Sequence, residues 1–245
     1  GMYLPLKRKL QNITSKIPPN AAMAVILRGW EVVSISGIVP SYMLPSPVAV
    51  LTALFGDLPT ILFHAKFTLL ESFYGLLIGI ALAFVFATMM DRFRVMDQAF
   101  YPIMIITQTI PTIAIAPILV LWMGFGMAPK ILTVVLMCFF PVAVSFADGL
   151  QRVDEEFVHL VRSYGADRWK AYCLVKIPAA LPELFSGVKV AATYSISGAV
   201  VGEWLGSQKG LGYYLLRVKN SYMLDKVFAC VVVIILLSLA MNGLI

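Results

Sequence analysis

Apolar residues in this chain come in long runs rather than in short alternating patches, and those runs predict its elements. About 20 consecutive apolar residues cross a bilayer as an α-helix, whereas a helix on a soluble core shows only an apolar stripe. Six stretches meet the first description: residues 20–37, 67–90, 99–122, 131–146, 186–201 and 227–245. The first is the weakest, because Arg28 and Glu31 interrupt it. Their i,i+3 spacing puts them on one helix face, as a neutralising pair or at an interface.

Prolines and glycines punctuate the runs. Pro40, Pro45 and Pro47 end the first, and Ser46-Pro47 opens a short interfacial helix to about Phe55. Gly75 and Gly79 have the spacing that lets two membrane helices approach closely. Pro111 and Pro117 inside the third run free backbone carbonyls, so that helix is expected to be kinked or broken and packed within protein. Gly206, Gly210 and Gly212 read as a glycine-rich connection between the last two spans. The expected fold is an all-α polytopic membrane protein with about six transmembrane helices. Residues 1–17 form an amino-terminal segment, and residues 18–245 form one membrane domain.

Composition agrees with that picture and removes alternatives. Charged residues make up 13% of the chain, about half the usual share, too few to cover a soluble fold of this size. The net charge of +6 does not call for nucleic acid, because basic residues beside spans serve loops and anionic lipid headgroups. Cys138, Cys173 and Cys230 are scattered, and His64 and His159 lie far apart, so no metal site is expected. No paired carboxylates, histidine cluster or Ser/His/Asp arrangement points to a membrane enzyme.

Six spans put both ends on one side. Eleven basic residues fall on that side (Lys7, Arg8, Lys9, Lys16, Arg92, Arg94, Arg152, Arg162, Arg168, Lys170 and Lys176) against six on the other (Lys66, Lys130, Lys209, Arg217, Lys219 and Lys226). The bias places both termini in the cytoplasm. The longest polar stretch, residues 148–183, is then cytoplasmic too.

That stretch has its own pattern. Asp154, Glu155 and Glu156 suit a helix amino-terminus, and Phe157, Leu160, Val161 and Tyr164 repeat at i, i+3, i+4 and i+7. Gly165 stands where a left-handed residue would stop the helix. Asp167 caps a second short helix carrying Trp169 and Tyr172, and Pro178 and Pro182 are expected to keep it from running unbroken into the fifth span. Such a hairpin, with one apolar and one basic face, is shaped either to dock on another protein or to lie on the membrane.

Here the sequence resembles the permease subunits of ATP-binding-cassette importers. Their cytoplasmic loop reads Glu-Ala-Ala, three residues, Gly, nine residues, then Ile-x-Leu-Pro. This chain has Gly165, nine residues, and Val175-Lys176-Ile177-Pro178, while His159-Leu160-Val161 replaces the opening Glu-Ala-Ala. Leu44 to Pro47, Gln108 to Pro117, Trp122 to Gly126, and Gly202 to Gly206 with Gly210-Leu-Gly212 extend the resemblance to the nitrate, sulfonate, taurine and pyrimidine-precursor group.

The resemblance implies the type I (MetI-like) importer fold and a bacterial inner-membrane location. It also implies that His159, Leu160, Val161, Tyr164, Gly165, Ala166, Asp167, Arg168 and Pro178 couple the chain to an ATPase. The chain has no Gly-x-x-x-x-Gly-Lys-Ser/Thr loop, so ATP and Mg belong to that partner and no cofactor is expected on this chain. Two ATPases, a second permease chain (a homodimer) and an extracytoplasmic binding protein complete the implied assembly. A secondary transporter would also tolerate broken helices, but it needs no docking hairpin.

Polar residues within the runs are candidates for a substrate path, since a charge at bilayer depth usually faces a cavity or a partner. Gln108, Thr109, Ser197 and Glu203 are assigned to that path. Glu71 and Lys189 are read as structural, at interfaces or paired with one another. The late glycine-rich segment looks most like importers of thiamine pyrimidine precursors or related heterocycles, with sulfonate, taurine or nitrate as the alternative.

Overall fold

The computed structural model describes residues 19–40 and 42–245, so the basic residues Lys7, Arg8, Lys9 and Lys16 and the 1–17 segment lie outside it. The described residues are helical and contain no strand. Four helical stretches among them are long and apolar enough to cross a membrane: Leu58–Arg92, Ala128–Gln151, Arg168–Glu203 and Leu224–Gly243. Contacts divide the described residues into two bodies, one running up to residue 57 with 218–229 and the other 58–217 with 230–245.

The smaller body holds α1 (Pro19–Ile35) and α2 (Pro47–Gly56). Ser46 caps α2 by accepting a hydrogen bond from Ala49 N at 3.1 Å, and Pro47 occupies the first turn, where its missing N–H costs nothing. The segment between the helices folds back on α1. Trp30 Nε1 donates to the Pro45 carbonyl at 3.0 Å, and Ser34 Oγ donates to the Leu44 carbonyl at 2.9 Å. Trp30 also meets Phe228 with ring centroids 5.7 Å apart, and Lys226 pairs with Asp57 at 3.2 Å. Arg28 and Glu31 form no salt bridge with each other.

The larger body is built on three long helices: α3 (Leu58–Arg92), α6 (Ala128–Gln151) and α9 (Ile177–Glu203). Helix α6 packs against both others. It can approach closely because small residues face it from each side. A Cβ on Gly75 would fall 2.4 Å from Val134 Cβ, and one on Gly198 would fall 3.2 Å from Val134 Cα. Ala83, Ala87, Ala143, Ala147, Ala191 and Ala199 fill the rest of this seam and are almost wholly buried. In lipid, where apolar surface gains nothing by leaving the solvent, such close packing is what holds helices together. Phe84 and Phe146 stack 5.1 Å apart in the same core.

The expected third span is two helices, α4 (Arg94–Thr107) and α5 (Thr112–Met123), separated at Gln108 to Pro111. Pro111 begins α5 from extended backbone, φ −62° and ψ 117°, so the break falls where the proline predicted it.

One expectation is corrected. Pro178 and Pro182 do not separate the short helix α8 (Arg168–Ala171) from the fifth span. The helix widens into a π turn over Tyr172–Lys176, with Ile177 N donating to the Tyr172 carbonyl, and then continues as α9. Pro178 follows directly on the wider turn, as the second residue of α9. The glycine-rich connection also contains a helix, α10 (Leu211–Asn220), before α11 (Leu224–Gly243).

Candidate functional site: an exposed hairpin and a buried charge cluster

The hairpin forms as its sequence dictates. Helix α7 (Glu155–Ser163) is capped by Asp154, whose Oδ1 accepts from Glu156 N at 2.9 Å. Asp167 does the same for α8, accepting from Lys170 N at 2.7 Å. Between them Gly165 sits at φ +92°, and Ala166 N closes the end of α7 onto the Val161 carbonyl at 3.3 Å. A Cβ on Gly165 would meet nothing within 4 Å. The glycine is there for its backbone conformation and not for room.

The hairpin's apolar stripe faces outward. Phe157 is 61% exposed, Leu160 53%, Tyr164 87% and Trp169 70%, and α7 contributes no buried residue. His159, Leu160, Tyr164, Gly165, Asp167 and Arg168 are exposed, with Val161 and Ala166 half-buried, so the structure gathers these sequence-predicted residues on one protruding element. Pro178 is exposed one helical stretch away, at the foot of α9. That foot is firmly held. Lys176 Nζ lies 2.6 and 2.8 Å from the two Asp91 oxygens at the end of α3, and Ala171 is fully buried.

The four pathway residues are not brought together. Gln108 and Thr109 are exposed at the α4–α5 break, and Ser197 is exposed on α9 in the same strip as Val190 and Tyr194. Gln108, Thr112, Phe140, Val190 and Tyr194 line a cavity of about 490 Å³ with no cationic side chain in its wall. Glu203 is elsewhere. It is 1% exposed and turned toward α3.

There it belongs to a cluster that sequence reasoning only half found. Glu203 Oε1 accepts from Thr68 Oγ1 at 2.7 Å, and Oε2 accepts from Gly212 N at 2.6 Å. Thr68 Oγ1 in turn accepts from Leu211 N at 2.8 Å, and His64 Nδ1 accepts from Gly210 N at 3.1 Å. The glycine loop is thus fastened to α3 through consecutive backbone N–H groups. Beside it, Lys130 Nζ pairs with Glu71 Oε1 at 2.9 Å, both side chains at most 10% exposed. The other Glu71 oxygen accepts no hydrogen bond.

Glu71 therefore pairs with Lys130 and not with Lys189, which is exposed. Lys130, counted among the basic residues on the side opposite the termini, is a buried partner. A charge in or near an apolar run signalled Glu71 and Glu203, but sequence spacing could not show that Glu71 and Lys130, 59 positions apart, meet. Buried charges persist only when paired, so the cluster is structural in this conformation.

The family model described as binding-protein-dependent transport system inner membrane component matches residues 75–245. A probable ABC transporter permease protein of Haemophilus influenzae is 36% identical over 92% of each chain. The formylaminopyrimidine transport permease of Halalkalibacterium halodurans is 33% identical over 91% of this chain and 89% of its own. A putative aliphatic sulfonates transport permease of Bacillus subtilis is 30% identical over 86% of this chain and 77% of its own. Among solved structures, a chain of the MetNI methionine ABC transporter in an inward-facing form superposes with a TM-score of 0.55 at 17% identity, covering 76% of this chain and 93% of that one. That likeness concerns the fold.

Proposed function

The chain belongs to the family of binding-protein-dependent transport system inner membrane components, and on that premise we propose how it couples and what it carries. It is a multi-pass membrane permease subunit of an ATP-binding-cassette importer and is itself non-catalytic; ATP hydrolysis is done by a partner ATPase. The proposal begins with the hairpin at residues 154–171. Its uncovered Phe157, Leu160 and Tyr164 seat in a groove of the ATPase, and this exposure is the observation that carries the reading. Two such ATPases, each with Mg and ATP, would serve a pair of identical permease chains, with both termini cytoplasmic and a binding protein delivering solute outside. Closure of the ATPases would displace the hairpins. Each hairpin's continuous helical link into α9 would carry that motion to the spans.

The substrate path is proposed along the exposed strip of α9 and the α4–α5 break, with Gln108, Thr109 and Ser197 as its polar groups. The cavity beside it offers an amide, a hydroxyl and the Tyr194 ring but no cation. That chemistry suits a neutral or weakly basic heterocycle of the pyrimidine class better than an oxyanion, in line with the substrate in one relative's name. A sulfonate is the second reading, favoured by another relative's name. Uptake by the reconstituted importer with its cognate binding protein tests the choice. Pyrimidine uptake reduced several-fold by Gln108→Ala is expected; taurine or sulfonate uptake that pyrimidines fail to compete would overturn it.

A further inference from the structure

A second cavity, of about 520 Å³, opens between the hairpin-side end of α3 and the α8–α9 stretch. Its walls are of two kinds. Phe84, Met89, Phe93, Trp169 and Ile177 make it apolar, and Arg92 and Arg168 stand in the same lining. Phe93 is 56% exposed and Trp169 70% exposed, so that wall is left open by the described residues. Neither arginine forms a salt bridge among the described residues. Both are exposed.

The charge around the cavity is one-sided. An adjoining recess of about 260 Å³ shares Arg92 and Arg168 and adds Arg162 and Lys176, against Asp91 and Glu155. Four cations less two anions leave +2, and Asp91 is already held by Lys176. The geometry also sets a depth. Arg92 ends a membrane-spanning helix, and Phe84 lies eight residues back, roughly 12 Å along the axis. A ligand here meets guanidinium groups and an indole at the membrane boundary, then an apolar wall extending toward the bilayer interior. Soluble phosphate has no use for that wall, and an uncharged lipid has none for the arginines.

We propose that this groove binds one anionic phospholipid of the leaflet on the hairpin side, its phosphate between Arg92 and Arg168 and an acyl chain along Phe84, Met89 and Ile177. Basic pockets between helix ends are suited to such headgroups, and paired guanidiniums match phosphate oxygens. The lipid would fill the space between α3 and the root of the docking hairpin, so membrane composition would bear on how firmly the hairpin stands.

The test uses the full chain reconstituted in phosphatidylcholine vesicles without ATPase or substrate, so its failure would leave the transport reading untouched. Brominated phosphatidylglycerol or brominated phosphatidylcholine is titrated in, and Trp169 quenching is taken as the difference from the Trp169→Phe chain. Half-quenching is expected at about a thirtyfold lower mole fraction of the glycerol lipid, a preference of the size two surface cations supply. The double variant Arg92→Gln/Arg168→Gln should abolish the preference, and Arg92→Lys/Arg168→Lys should retain part of it. Should the glutamine pair fail to fold, Arg168→Gln alone, on the exposed hairpin, should still reduce the preference. Equal quenching by the two lipids, an undiminished preference in the glutamine variants, or loss of the preference on adding 10 mM inorganic phosphate would each overturn the proposal.

Discussion

The charge cluster around Glu203 and the hairpin around Gly165 are built on opposite principles. In the cluster every group is buried and nearly every polar atom has a partner: two hydrogen bonds fix the loop at residues 210–212 to α3, a third fixes it to Glu203 on α9, and a fourth joins Glu203 to α3. In the hairpin, capping bonds define the helices, but the apolar side chains have nothing to touch. Their glycines make the same contrast. A Cβ on Gly212 would fall 2.2 Å from the Val200 carbonyl oxygen, whereas a Cβ on Gly165 would meet empty space. One region spends its sequence on internal order, and the other leaves its apolar side chains uncovered.

Breaking the cluster should have the largest effect. Lys130→Met leaves the Glu71 carboxylate buried beside Glu203 with no cation, and loss of one partner of a buried pair costs roughly 3–5 kcal/mol. A marked fall in the thermal unfolding temperature of the detergent-purified chain is expected. An unchanged temperature would show that the pair is not a structural element.

Gly212→Val should come next, because the added side chain strikes backbone that cannot yield. Overpacking of this kind costs about 1–3 kcal/mol and should free the 210–212 loop from α3. Faster amide exchange at Gly210, Leu211 and Gly212 would report it directly; native protection of those amides would contradict the clash.

The hairpin should respond in the other currency. Gly165→Val strains a left-handed backbone by about 1 kcal/mol and touches no neighbour, so the unfolding temperature should barely move. Binding-protein-stimulated ATP hydrolysis by the assembled importer should nevertheless fall sharply. Full stimulation in an assembled variant would sever the hairpin from coupling.

The smallest perturbation sharpens the comparison by locating it. Arg162→Cys, made with Cys173→Ser because Cys138 and Cys230 are buried, should leave stability unchanged. An impermeant thiol reagent should label it only from the cytoplasmic side, and labelling of intact cells would reverse the proposed orientation.

Much of this molecule was legible without coordinates, for reasons that lie close along the chain. Run length and charge scarcity dictate spans, Pro111 dictates the break in the third, and Ser46-Pro47 dictates the start of α2. The hairpin was readable to its caps, since Asp154, Gly165 and Asp167 act on backbone groups two to five residues away. Local interactions depend on local sequence. The partners of Glu71 and Glu203 were not readable, because Lys130 and Thr68 reach them across 59 and 135 residues, and spacing carries no record of which helix faces which. The uninterrupted passage through Pro178 was hidden for a related reason: a proline predicts a lost hydrogen bond, but only the surrounding packing decides whether a π turn absorbs it. What the sequence determined alone was therefore where the long apolar helices run and how the exposed hairpin is capped. The tertiary structure decided which charges meet in the interior, because a buried carboxylate must find its cation or donor wherever close helix packing brings one.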